Sequence, residues 1–216
     1  MLRLYTYFRS SAAYRVRIAL ALKGLAYESV PVHLLRDGGE QHQSAYRALN
    51  PAGLVPALQD NGATITQSVA ILEYLEELHP EPALLPPSAL DRARVRALAQ
   101  AVACDIHPLN NLRVLNYLTG QLQVSDAQRT AWMHHWMALG LEAIEQQLAH
   151  SPQTGQFCHG DTPTLADCCL VPQIFNGKRF GVNLDGLPLT MAAFDACMAL
   201  PAFAQAQPSA CPDNAP

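Results

Sequence analysis

Ser10 and Ser11 lie in the stretch YFRSSAAYRVRIAL, where a β-prone run gives way to a helical one. At a helix start the backbone N–H groups lack partners and the macrodipole is positive. A hydroxyl there can cap the helix. It can also donate to an anion held at that end, a thiolate included, and so lower a thiol pKa from its free value of about 8.5. A second candidate is Val55–Pro56, which follows a turn and opens a strand. That setting suits a cis bond and exposes the Val55 main chain for pairing with a peptide-like ligand. Gln67–Ser68 repeats the first arrangement, a hydroxyl at a helix start. Together they describe a site for a small anionic peptide containing a thiol.

The elements that must position these residues follow from pattern and punctuation. LRLYTYF reads as a strand, and Ser11 to Lys23 as a helix that Gly24 stops at its C′ position. YESVPVHLL reads as a second strand and Glu40 to Leu49 as a short helix. NPAGLVPAL leads into a third strand, which the Asp60–Gly62 turn joins to ATIT as a hairpin. Ser68 to Leu78 closes the unit as a helix. The order βαβαββα predicts a mixed sheet covered by helices, with only the last pair free of a crossover.

HPEPALLPPSAL, rich in proline and without helical period, reads as a linker. The predicted division is therefore 1–79, a linker at 80–90, and an all-helical domain at 91–216. In the second domain Val95, Leu98, Val102, Ile106 and Leu109 form a helical stripe over Asp91 to Leu118, and Pro108 should kink it. Ser125 with Gln128, and Thr164 with Asp167, have capping-box spacing before long helices. A last helix is predicted near Pro188 to Leu200, with SACPDNAP as a frayed tail.

Half of the 216 residues are hydrophobic and 15% are charged, an ordinary globular composition. A formal net charge of −4 without a basic stripe argues against a nucleic-acid partner. The opening residues lack a signal-peptide pattern, and no apolar run reaches the ~20 residues needed to span a bilayer. All six cysteines lie in the second half, with Cys168 and Cys169 adjacent. They read as reduced, mostly buried thiols of a cytoplasmic protein with no membrane partner.

RSSAAYRVRIALALKG, NPAGLVPAL, TQSVAILEYLEE and GDTPTLADCCLVPQ resemble the zeta-class glutathione transferases, the family of maleylacetoacetate and maleylpyruvate isomerases. The resemblance runs from residue 2 to about residue 205. It implies a thioredoxin-like N-terminal domain followed by an all-α domain, a homodimer, and glutathione as a regenerated cofactor. It implies further that Ser10 hydrogen-bonds the glutathione thiolate, with Ser11 beside it. Gln41, Val55, Pro56, Gln67 and Ser68 would hold the rest of glutathione, and His107 would lie near it. Arg9, Arg113 and Arg179 would bind a dicarboxylate-like substrate, Arg9 and Arg179 counting among the catalytic groups. One departure is visible: Ala12 stands where the family pattern Ser-Ser-Cys has its cysteine.

Other residues read as structural. Asp167 is expected to be a capping carboxylate, and Arg15 and Arg17 helix-surface and domain-interface charges. His134–His135, and the Cys104, Asp105 and His107 cluster, lack the spacing of a metal site. Two rival functions fit the same pattern, a glutathione-conjugating transferase and a non-catalytic binding module.

Overall fold

The computed structural model describes residues 1–214, and the chain forms two compact units. The first contains a four-stranded sheet in the order β2-β1-β3-β4, from β1 (Leu2–Thr6), β2 (Tyr27–Pro31), β3 (Ala57–Asp60) and β4 (Ala63–Thr66). β1 pairs parallel with β2, and the β1–β3 and β3–β4 pairs are antiparallel; the sheet is mixed and ends in a hairpin, as expected, with β1–β2 as its parallel pair. Pro31 ends the second strand earlier than YESVPVHLL suggested. It offers no ladder donor and is tolerated because β2 is an edge. Helices α1 (Ser11–Leu22), α2 (Ser44–Leu49) and α3 (Ser68–Leu78) complete this part of the unit.

The predicted helix over Glu40 to Leu49 is interrupted. Glu40–His42 forms a 3-10 turn, and Gln43 is extended before α2 begins. The Glu40 carboxylate is spent outside any helix, accepting the His33 N–H at 2.7 Å.

The second unit, Leu85–Cys197, holds α4 (Ala89–Gln100), α5 (Leu112–Gly120), α6 (Asp126–Ala149), α7 (Leu165–Phe180) and α8 (Pro188–Met198), whose last residue passes to the first unit. Around Pro108 the prediction of one kinked helix fails: the helix is broken. A π-helical stretch at Ala101–Ile106 and a 3-10 turn at His107–Asn110 separate α4 from α5. Asn111 is extended and restarts the chain, its Oδ1 accepting the Arg113 N–H at 3.0 Å. Val95, Leu98, Val102 and Ile106 nonetheless stay buried. Gly140 of α6 admits the Ile106 side chain against the helix backbone, where any Cβ would collide with it.

Both capping boxes form, at Ser125 with Gln128 and at Thr164 with Asp167. The fully buried Asp167 also accepts the Cys158 N–H at 2.9 Å, which fixes the loop ahead of α7. All six cysteines are thiols outside any disulfide, four of them buried. Burial pushes the Cys158 and Cys197 thiols upward in pKa, which suppresses thiolate chemistry there.

The segment from Met198, assigned above to the helical domain, belongs to the first unit. It forms α9 (Pro201–Ala206), which packs on α1. The tail expected to fray is tied down through Asp213, which accepts the Phe8 N–H at 2.9 Å; its last two residues lie outside the described ones. With α3 and α9 both packed on it, α1 is buried from Ala13 to Leu20. Arg15 and Arg17 are consequently 2% and 3% exposed, and the expectation that they are surface charges is wrong.

A buried cation closes the other end of α1. Lys23 Nζ donates to Glu76 Oε2 at 2.7 Å, to the His79 carbonyl at 2.6 Å and to the Pro82 carbonyl at 2.9 Å. Glu76 in turn accepts the Leu84 N–H, so one ion pair ties α1, α3 and the following segment. Replacing one partner strands the other charge in the interior. Lys23→Met should therefore cost ~3–5 kcal/mol of stability, and Lys23→Met with Glu76→Leu clearly less. Urea unfolding of the two variants checks this; equal losses would show that the ion pair is not the origin.

Candidate active site

Ser10 is the N-cap of α1, its Oγ accepting the Ala13 N–H at 3.2 Å. The capping role and the anion-donor role are compatible, because capping uses the oxygen and leaves the proton. That proton goes to no acceptor among the described residues. Ser11 is the first residue of the helix and, like Ser10, half-buried.

The loop before Ser10 is held by its main chain. Arg17 Nη2 donates to the Phe8 carbonyl at 3.0 Å and Nη1 to that of Tyr7 at 3.4 Å. Nη1 also reaches Thr6 Oγ1 at 3.0 Å, and Nε reaches the Ala206 carbonyl at 2.9 Å. Burial lowers the Arg17 pKa, and nearby Cys211 and Asp213 oppose that shift.

Val55 is buried in one cluster with Tyr7, Phe8, Val32 and Tyr46, which brings it to the residues that precede Ser10. The Val55–Pro56 bond is cis. Among the described residues nothing hydrogen-bonds the Val55 main chain. The preceding carbonyl is taken: Leu54 O accepts Tyr46 Oη–H and Asn50 Nδ2–H, both at 2.7 Å. Asn50 Oδ1 also accepts the Ala52 N–H at 3.1 Å. Gly53, at φ 61°, lies so close to the Gln41 carbonyl that an added Cβ would sit 3.1 Å from it. Gln41 is buried, with Nε2 3.3 Å from the Leu34 carbonyl, while its Oε1 is buried without a partner among the described residues. Such an acceptor suits a ligand N–H.

Gln67 caps α3 at φ 71°, ψ 117°, a conformation that costs a non-glycine residue ~1–3 kcal/mol and is found at ligand-holding positions. Ser68 is buried, and Arg15 Nη1 donates to its Oγ at 3.0 Å. Arg15 thus ties the two helix starts together.

Arg9 is exposed, its guanidinium 4.8 Å from the Phe8 ring centroid. In the second unit His107 is half-buried in the 3-10 turn, and Arg113 is exposed in the first turn of α5. Arg179 is exposed in the last turn of α7, its guanidinium 5.0 Å from the Phe180 ring centroid. His134 is structural, its Nε2–H donating to the Phe180 carbonyl at 2.7 Å.

Residues 4–83 match the family model described as glutathione S-transferase, N-terminal domain, and residues 137–176 the C-terminal domain. A maleylacetoacetate isomerase of Pseudomonas aeruginosa is 53% identical over 214 residues, covering 99% of each chain. A holo maleyl pyruvate isomerase, a bacterial glutathione S-transferase in zeta class, superposes with TM-score 0.94 at 50% identity, covering 99% of this chain and 100% of that one. The chain belongs to the zeta-class glutathione transferase family. A third relative, the maleylacetoacetate isomerase of Anaeromyxobacter dehalogenans, was solved with dicarboxyethyl glutathione and citrate in its active site. It matches this zeta-class chain with TM-score 0.86 at 45% identity, covering 100% of this chain and 98% of that one.

In this zeta-class chain the Tyr46 hydroxyl that orients Leu54 titrates abnormally, burial pushing its pKa up to about 12. A raised value means that the fold favours the neutral phenol. The associated stability is fully present below the unfolded pKa of about 10 and is lost as pH rises towards 12. Tyr46→Phe should abolish that part of the alkaline decline. Unfolding midpoints measured across this window test it, and identical declines in both proteins would refute the assignment.

Proposed function

We propose that this chain is a glutathione-dependent cis–trans isomerase that converts maleylacetoacetate to fumarylacetoacetate in aromatic amino-acid catabolism. The observation that carries the reading is Ser10: a hydroxyl at the N-terminus of α1 whose proton has no acceptor among the described residues. Family membership and the isomerase relatives support it independently. Maleylpyruvate is the second substrate to consider, because a maleyl pyruvate isomerase is similar along its whole length.

The residues fit glutathione. The Val55 main chain and the Gln41 Oε1, both without a partner among the described residues, suit its peptide portion and an N–H, and Gln67–Ser68 at the start of α3 a carboxylate. When bound, glutathione supplies the thiolate that adds to the cis double bond and leaves after rotation, so it is returned unchanged. The Ser10 hydroxyl donates to the sulfur and, with the α1 dipole, keeps it ionised at neutral pH. Arg9, Arg113 and Arg179 are the proposed anchors for the substrate carboxylates and for negative charge developing on the substrate, because a guanidinium meets a carboxylate with two parallel hydrogen bonds. Glutathione binding is assigned to 1–79 and carboxylate anchoring mainly to 91–216, with His107 beside glutathione. The chain works on this reading as a cytoplasmic homodimer, and six thiols outside any disulfide suit a reducing compartment.

The deciding assay follows both maleyl substrates with and without glutathione. Turnover should continue with glutathione far below substrate concentration and without loss of free thiol. Stoichiometric thiol consumption would make the protein a conjugating transferase, and inactivity under all conditions would leave a binding module. Ser10→Ala should lower kcat by ~10²–10³ while glutathione still binds. A variant turning over at the normal rate would move the role to Ser11.

The arginines have a separate test. Arg9→Ala and Arg179→Ala should each lower kcat/KM by about 1.5–3 kcal/mol, with lysine restoring only part. Glutathione affinity should be nearly constant. If neither substitution has a kinetic cost, the substrate is not a dicarboxylate.

A further inference from the structure

Phe8 lies two residues before Ser10 and is 7% exposed, so its backbone N–H must find an acceptor inside the protein. The acceptor is Asp213 Oδ2, at 2.9 Å, more than two hundred residues along the chain. The Phe8 carbonyl is held by Arg17 Nη2 at 3.0 Å. Both polar groups of this peptide residue are therefore fixed by charged side chains, and both charges engage the C-terminal segment. Arg17 binds the Ala206 carbonyl, and Asp213 stands in the 3-10 turn Pro212–Asn214. Cys211, just ahead of Asp213, packs against the cluster containing Phe8, Tyr7 and Val55. The second carboxylate oxygen, Oδ1, is buried without a hydrogen-bond partner among the described residues.

We infer that Asp213 is a positioning residue for the reaction: through the Phe8 amide it sets where the Ser10 hydroxyl stands at the start of α1. The inference rests on the proposed isomerase activity. The physical case is one of leverage. From Tyr7 to Ser10 the chain forms a tight turn, closed by the Ser10 N–H to the Tyr7 carbonyl at 2.9 Å. Within that turn the Phe8 amide is anchored from outside by a carboxylate. A hydrogen bond to a charged acceptor is roughly twice as strong as a neutral one, and its loss leaves a buried N–H unsatisfied. The turn would then relax by moving Phe8, and Ser10 with it. Displacements near 1 Å at a reacting centre can lower rates ~10²-fold. Asp213 touches no reacting atom, so its effect should fall on kcat and spare binding.

The test compares the full-length protein with Asp213→Ala and Asp213→Asn in three measurements. These are isomerase kinetics, glutathione affinity by fluorescence titration, and hydrogen exchange of the Phe8 amide by NMR. Asp213→Ala should lower kcat ~10–100-fold, leave KM and glutathione affinity nearly unchanged, and abolish protection of the Phe8 amide. Asp213→Asn keeps a carbonyl acceptor and should restore most of both kcat and protection. A fully active Asp213→Ala enzyme, a loss confined to KM or glutathione affinity, or an Asn variant as impaired as Ala would overturn the inference. If the wild-type protein is inactive on both maleyl substrates yet Asp213→Ala still loses Phe8 protection, the proposed function fails and the anchor stands.

Discussion

The buried guanidinium of Arg17 is the interaction on which the first unit depends. It is desolvated, so every one of its hydrogen bonds matters, and three of its four acceptors are backbone carbonyls: those of Tyr7, Phe8 and Ala206. The fourth, Thr6 Oγ1, belongs to β1. One planar cation thereby joins the end of the first strand, the loop bearing Ser10 and the end of α9. Lysine could not reproduce this, because its point charge lacks the rigid fork. The chain spends burial of a charge on holding a loop by its main chain, and leaves the Ser10 side chain available for chemistry.

Around that loop the same principle recurs, with polar side chains fixing backbone so that other backbone stays unengaged. Tyr46 and Asn50 both bind the Leu54 carbonyl, and the Val55 main chain next to it has no partner among the described residues. Arg15 takes Ser68 Oγ, while Gln67 beside it keeps a strained left-handed conformation. Asp167 in the second unit likewise secures Thr164 and Cys158, in a purely structural setting. The first setting leaves capacity unmet among the described residues: the Gln41 Oε1 and the Ser10 proton.

Much of this was legible in the sequence because it is local. The capping boxes at Ser125 and Thr164, the Asp60–Gly62 hairpin and the Gly24 stop depend on residues a few positions apart, and each formed. Ser10 and Ser68 could be placed at helix starts for the same reason. The larger failures are non-local. Arg15 and Arg17 looked like surface charges because nothing nearby in sequence says that α3 and α9 will enclose α1. Asp213 looked like part of a loose end because its partner is Phe8. The region after Gln100 was misjudged for a subtler reason. Proline announces a disturbance, but whether a helix bends or breaks there depends on what packs against it. Here the neighbour is α6, with Gly140 admitting Ile106.

The return of the segment from Met198 to the first unit bears on how the protein is made. Translation proceeds at ~5–20 residues per second, so the stretch Leu85–Cys197 delays α9 by on the order of ten seconds after Leu84 has been synthesised. Throughout that interval Arg17 has no Ala206 carbonyl and the Phe8 amide has no carboxylate. The nascent first unit must wait with one face of α1 uncovered, while the helical unit can complete its local contacts. The unit that carries Ser10 is therefore begun before the helical unit and completed after it.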